Sequence, residues 1–199
     1  MIKILSQYLP ASTVNIIYSW IQNYKVHFII TPKRNSKKGD YTPLCKTSAY
    51  KHRISVNGSL NKWAFLITTI HEFAHLINWE KYGSSVMPHG KEWKQEYKKL
   101  MQMFFVNNIF PLDIYKALVK YMVNPKASTR SDLDLMRSLY KYNLDTAACL
   151  IDDLPIQSLF MYQGRKFKKI EQMQKKYRCM DVNKKDYYLF HPTAEVEVL

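Results

Sequence analysis

Two histidines four residues apart, with a glutamate directly after the first, make His71-Glu72-Phe73-Ala74-His75 the stretch whose chemistry is most legible. On a helix, side chains four apart lie about 40° apart around the axis and one turn along it, so both imidazoles reach one metal ion. Glu72 then stands where its carboxylate approaches a water at that ion and serves as general base. A catalytic zinc takes three protein ligands and keeps a fourth position open. The metzincin extension would need a glycine at position 78 and a histidine at position 81; the chain has Asn78 and Lys81, which excludes it. Three candidates for the third ligand remain: His89, Glu92 and Glu96. His89, in Pro88-His-Gly-Lys-Glu-Trp93, is preferred because it lies one helical turn ahead of Trp93 and two ahead of Tyr97, on the apolar side of its helix. His27, His52 and His191 fall in strand-like segments without metal spacing, and a structural role is expected for them.

The elements that must position these groups follow from pattern. Val14, Ile17 and Ile21 repeat at helical spacing behind Ser12 or Thr13, which predicts a helix over 11–24. Lys25–Thr31 reads as a strand, broken by Pro32 and the polar run Lys33–Asp40, and His52–Asn57 alternates as a second strand closed by Gly58. A long helix starts at Ser59 or Asn61 with the stripe Trp63, Leu66, Ile67, Ile70, Ala74 and Ile77, and a ligand-bearing helix runs from Gly90 to Phe105. Pro111 suits the first position of a third helix, which ends before Asn124-Pro125, and Ser131 or Asp132 opens a fourth. From Asp153 the pattern turns to β, with strands at Ser158–Gln163, Lys175–Val182 and Tyr187–Val198. Three regions are expected: a core over 1–110, a helical extension over 111–150 and a basic β-rich tail over 151–199.

The run His71-Glu-Phe-Ala-His75-Leu-Ile-Asn-Trp79, followed after a short loop by His89-Gly-Lys-Glu-Trp93, resembles the SprT-like zinc metalloprotease family (the Spartan-related proteases). Residues 10–105 also follow that family's order of helix, strands, active-site helix and ligand helix. The resemblance implies an α+β fold with a zincin-like core and one Zn2+ held by His71, His75 and His89. Glu72 would act as catalytic base on a protein substrate that is bound to, or crosslinked with, DNA. Many members carry a C-terminal zinc ribbon with four cysteines, whereas residues 150–199 offer only Cys179.

Composition bounds the alternatives. The chain has 199 residues, 47% apolar and 14% aromatic, with five glycines, which excludes a disordered or collagen-like polymer. No apolar stretch approaches the roughly 18 residues of a membrane span, and Met1–Pro10 makes a poor signal peptide. Cys45, Cys149 and Cys179 are too few and too scattered for a disulfide framework, so a soluble, cytoplasmic protein is expected.

The formal charge of +14 favours polyanions, nucleic acid above all. In the tail, Arg165, Lys166, Lys168, Lys169, Lys175, Lys176 and Arg178 cluster among Phe167, Tyr177, Tyr187 and Tyr188, as a single-strand binder requires. A solvated β face with an aromatic core is the plainer reading of the same residues. Substrate is expected to add as an extended strand to a sheet edge near the active-site helix, with 52–57 as the suggested edge. The leading function is a zinc-dependent endopeptidase acting on DNA-bound proteins. The alternatives are a general or regulatory zinc protease without DNA dependence, and a non-enzymatic nucleic-acid-binding module with a structural metal.

Overall fold

A computed structural model describes residues 1–34, 37–44, 49–143 and 148–199, with Arg130 described for its backbone alone; Cys45 lies outside the described residues. The chain divides into two compact units, Met1–Ala127 and Ser128–Leu199. The helices expected together over 111–150 therefore fall one in each unit.

The first unit opens with α1 (Ile2–Tyr8), a short helix with no sequence signal beyond Leu5, its one buried residue. Pro10 then starts a 3-10 turn over Ala11–Thr13 that leads into α2 (Val14–Asn23), whose Val14, Ile17 and Ile21 are buried. The small sheet follows: β1 (Val26–Thr31), β2 (Gly39–Pro43) and β3 (His52–Asn57). Its order is β1-β3-β2, with β1 parallel and β2 antiparallel to β3. The suggestion that 52–57 offers a free edge is thus corrected: β3 is the central strand, paired on both sides. The edge belongs to β2, which the polar run before it had made look like loop. Pro43 fits there, because an edge strand tolerates a missing N–H.

β3 leads into α3 (Lys62–Tyr82), capped by Asn61, whose side chain accepts from the Ala64 amide at 2.9 Å. The expected stripe is only part of what α3 buries. Phe65, Thr69, Phe73 and Leu76 are inside as well, while Trp63 and Ile77 are half-buried. A helix apolar on most of its circumference is a central helix, packed on several sides. On one side Trp20 of α2 sets its ring edge-on to Phe73 at 5.2 Å and to Phe104 at 5.8 Å. Gly83, at φ +58, ends the helix with its amide on the Trp79 carbonyl, a left-handed conformation that glycine adopts without Cβ strain. After a short turn come α4 (Lys91–Val106) and α5 (Leu112–Val123). Pro111 is the N-cap of α5 rather than its first residue.

The second unit holds α6 (Leu133–Tyr140), capped by Asp132, and a six-stranded antiparallel sheet. Its strands are β4 (Ala148–Leu150), β5 (Leu159–Tyr162), β6 (Arg165–Gln172), β7 (Tyr177–Asp181), β8 (Tyr187–Phe190) and β9 (Glu195–Val198), in the order β4-β9-β5-β6-β7-β8. The expected last strand over 187–198 is therefore two, broken around Pro192. β6 reads in sequence as a charged run, but its inward positions bring Phe167 into an aromatic core with Phe160 at 5.7 Å and Phe190 at 5.1 Å.

Candidate active site

α3 carries His71 and His75 one turn apart, and the turn ahead of α4 carries His89, its end fixed by the Gly90 amide donating to the Met87 carbonyl at 2.9 Å. The three Nε2 atoms form a tight triangle: 3.2 Å between His71 and His75, 3.0 Å between His75 and His89, and 3.3 Å between His89 and His71. Each neutral Nε2 bears one proton or one lone pair, so no assignment of protons satisfies all three contacts. A cation facing three lone pairs does satisfy them. Tetrahedral zinc with Zn–N bonds of about 2.0–2.1 Å separates its ligand nitrogens by about 3.3 Å, close to what is found. The donor set therefore fits one Zn2+.

The electrostatics agree. Burial, then the neighbouring imidazoles, holds His71 well below the ordinary histidine range and His75 at about 3, and burial also lowers His89. All three rings stay neutral, which is the form that binds metal.

The two glutamate alternatives do not join them. Among the described residues the group able to hold a metal is His71, His75 and His89. Glu96, 5% exposed, is engaged by Lys81 at 2.9 Å and Lys99 at 3.4 Å. It clamps the end of α3 to α4 instead of serving the ion.

What holds the triangle is largely Trp93, which is fully buried. Its ring stacks on His75 at 5.2 Å and meets His71 and His89 edge-on at 4.7 and 4.8 Å. Tyr97 backs it at 5.0 Å and reaches His71 at 5.5 Å. The sequence marks both as apolar positions of α4, but spacing alone does not show that one indole braces all three ligands.

Glu72 is 5% exposed. Its carboxylate lies against Gly39 of β2 and Thr68 of α3, so close that a Cβ at position 39 would fall 2.2 Å from Oε1. Burial, then the Asp40 charge, pushes its pKa up to about 8, against the pull of Arg34 and Lys37. The edge strand thus passes directly beside this carboxylate.

The basic tail residues are not equivalent. Lys169, 2% exposed, is turned into the core of the second unit, where Nζ donates to the Ile151 and Leu154 carbonyls at 2.8 and 2.5 Å and sits 3.7 Å from the centre of the Tyr177 ring. That ammonium is out of a phosphate's reach, so its place in the expected nucleic-acid patch is corrected. Arg165 is bound to Asp181 and lies over Phe167 and Tyr188. Arg178 pairs with Glu171 at 2.8 Å and covers Tyr187. Lys166 and Lys168 are half-buried, whereas Lys175 and Lys176 are exposed. Cys149 and Cys179 are free thiols, so no disulfide stands in for a ribbon's metal among the described residues.

Residues 18–116 match the SprT-like family. No curated protein and no solved structure matches the chain. With that match, an α+β core and three converging imidazoles on α3 and the turn before α4, the chain belongs to the SprT-like family and carries its zinc-metallopeptidase site.

Proposed function

We propose that the protein is a zinc-dependent endopeptidase that cleaves proteins bound to, or crosslinked with, DNA, with Glu72 as its catalytic base. The observation that carries the reading is the Nε2 triangle of His71, His75 and His89, with the carboxylate of Glu72 buried on the same helix. When bound by the three histidines, zinc supplies Lewis acidity toward a peptide carbonyl and acidifies water. Glu72 takes one proton from the attacking water and delivers it to the departing amine, so that the carboxylate ends as it began. Beside Glu72, the outer edge of β2 offers backbone groups to an extended substrate chain, which needs little side-chain recognition to dock.

The DNA part of the reading rests on the charge of +14 and on the cations that stay accessible in the tail, Lys166, Lys168, Lys175 and Lys176. A protease that works without DNA is the second reading, favoured by the engagement of Arg165, Lys169 and Arg178 within the second unit. No helix among the described residues is long and apolar enough to cross a membrane, and a cytoplasmic setting would keep Cys149 and Cys179 reduced.

The experiment is cleavage of casein and of a DNA-bound protein by zinc-loaded enzyme, with and without single-stranded oligonucleotide, beside Glu72→Gln. Activity lost with zinc retained supports the endopeptidase; acceleration by the oligonucleotide supports the DNA-directed form. Equal behaviour of the two proteins sinks both.

A further inference from the structure

Two residues along β2 from the glycine that meets Glu72, a second polar cluster lies outside the metal site. The Tyr41 hydroxyl is 3.0 Å from His52 Nδ1, and His52 Nε2 is 3.2 Å from Glu80 Oε1. The cluster joins three elements: Tyr41 on the edge strand, His52 on the central strand and Glu80 near the end of α3. In the β2–β3 register Tyr41 faces Ile54 and Pro43 faces His52, so Tyr41 and His52 are diagonal neighbours on one face of the sheet. Gly39 shares that face by alternation, and it is the face that meets α3.

The chemistry fixes the direction of the bonds. A carboxylate only accepts, so neutral His52 keeps its proton on Nε2, and Nδ1 accepts from the Tyr41 hydroxyl. The Nε2 contact with Glu80 is close but too poorly angled for a full hydrogen bond, so the carboxylate acts on the ring mainly as a charge. His52 is 2% exposed, and burial keeps it neutral although Glu80 pulls the other way. Tyr41 is held in its protonated, donating form, by burial first and then by the Glu80 charge. The zinc ligands and Glu72 leave this polar link, centred on the buried His52 and reaching the strand beside the catalytic carboxylate, without a role.

We propose that Tyr41, His52 and Glu80 are positioning residues that pin the edge strand β2 to α3 and so set where an extended substrate lies relative to Glu72. Among the described residues β2 pairs with one strand, β3, and its other restraint is α3, met at Gly39 and through the Tyr41–His52–Glu80 link. Two residues of strand separate Tyr41 from Gly39 by about 6–7 Å. The link therefore governs the part of the ledge beyond the scissile bond, which long substrates use and short ones do not.

The inference rests on the endopeptidase reading, and the test separates the two. Zinc-loaded full-length protein, Tyr41→Phe and Glu80→Ala are compared on a quenched-fluorescence tetrapeptide and a quenched-fluorescence dodecapeptide, with zinc content and thermal melts recorded. Tyr41→Phe keeps the ring and removes one hydroxyl, so it guards against a folding defect. Both variants are expected to raise KM for the dodecapeptide about five-fold while kcat stays within about two-fold, as lost uniform binding requires. The tetrapeptide constants and the zinc content are expected to hold. Unchanged KM for the dodecapeptide in both variants overturns the proposal and leaves the endopeptidase standing, as does a fall in kcat with loss of zinc. A wild-type protein that cleaves neither peptide nor casein overturns both.

Discussion

Glu72 and Gly39 meet without room for a methyl group: a Cβ on Gly39 would fall 2.2 Å from Glu72 Oε1 and 2.6 Å from Thr68 Cγ2. The glycine is needed for close approach and not for an unusual backbone angle, since its φ is not positive. Gly39→Ala must therefore push either the strand or the carboxylate aside. Activity on casein is expected to fall about 100-fold, the cost of a displacement near 1 Å at a reacting group. Zinc content is expected to stay at one ion per chain, and a variant with full activity would show that β2 yields freely.

Glu72→Gln keeps the shape of the side chain and removes its ability to take a proton. The expected loss in kcat is about 10²- to 10⁴-fold, the usual share of general acid–base catalysis. Metal analysis of the same preparation should give wild-type zinc, which distinguishes a missing base from a missing site.

His89→Ala removes one of the three converging nitrogens and leaves His71 and His75 as a two-ligand site. Zinc affinity, measured by competition with a chromogenic chelator, is expected to fall by more than the roughly 10–100-fold typical of outer-shell losses. Affinity within a few-fold of wild type would mean that another residue completes the site.

Glu96→Gln tests the clamp between α3 and α4. Burial raises the Glu96 pKa, but its hydrogen bonds and charge contacts with Lys81 and Lys99 outweigh burial and leave it lowered. A lowered carboxylate adds stability above its unfolded value, and that stability is lost as pH falls through the folded value. The variant is therefore expected to be less stable at pH 7, by about 1 kcal/mol given how exposed the two lysines are, with the gap closing below the unfolded pKa near 4. Urea unfolding at several pH values reads this directly; a gap independent of pH would assign the loss to packing.

Lys169→Ala deletes the buried ammonium that two carbonyls and the Tyr177 ring surround. Leaving the Leu154 oxygen without its donor, while the Ile151 oxygen keeps only the Leu154 amide at 3.3 Å, is expected to destabilise the second unit by about 2 kcal/mol. The measurement is urea unfolding followed by tyrosine fluorescence, with zinc binding by the first unit expected to persist. Lys176→Ala, at an exposed position, is expected to stay within about 0.5 kcal/mol of wild type.

What the sequence by itself determined is the chemistry and the helices that carry it. His71, Glu72 and His75 share a helix, so their mutual placement is set by a repeat of 3.6 residues and needs no distant contact. His89 could be ranked above Glu92 and Glu96 because it sits in register with the apolar side of its own helix. β3 and α4 were legible for the same reason, since local periodicity reports local structure. The tertiary fold decided everything that joins segments far apart in sequence. Gly39–Pro43 has no alternation to announce a strand, and it becomes β2 through its ladder with β3. β6 reads as a band of charge until pairing turns Phe167 and Lys169 inward and leaves Lys166 and Lys168 on the other face. Likewise, an indole bracing three imidazoles, a glycine making room for a carboxylate and a tyrosine linked through a histidine to a glutamate are long-range contacts. Their energies depend on distances that no one-dimensional pattern encodes, and packing alone fixes those distances.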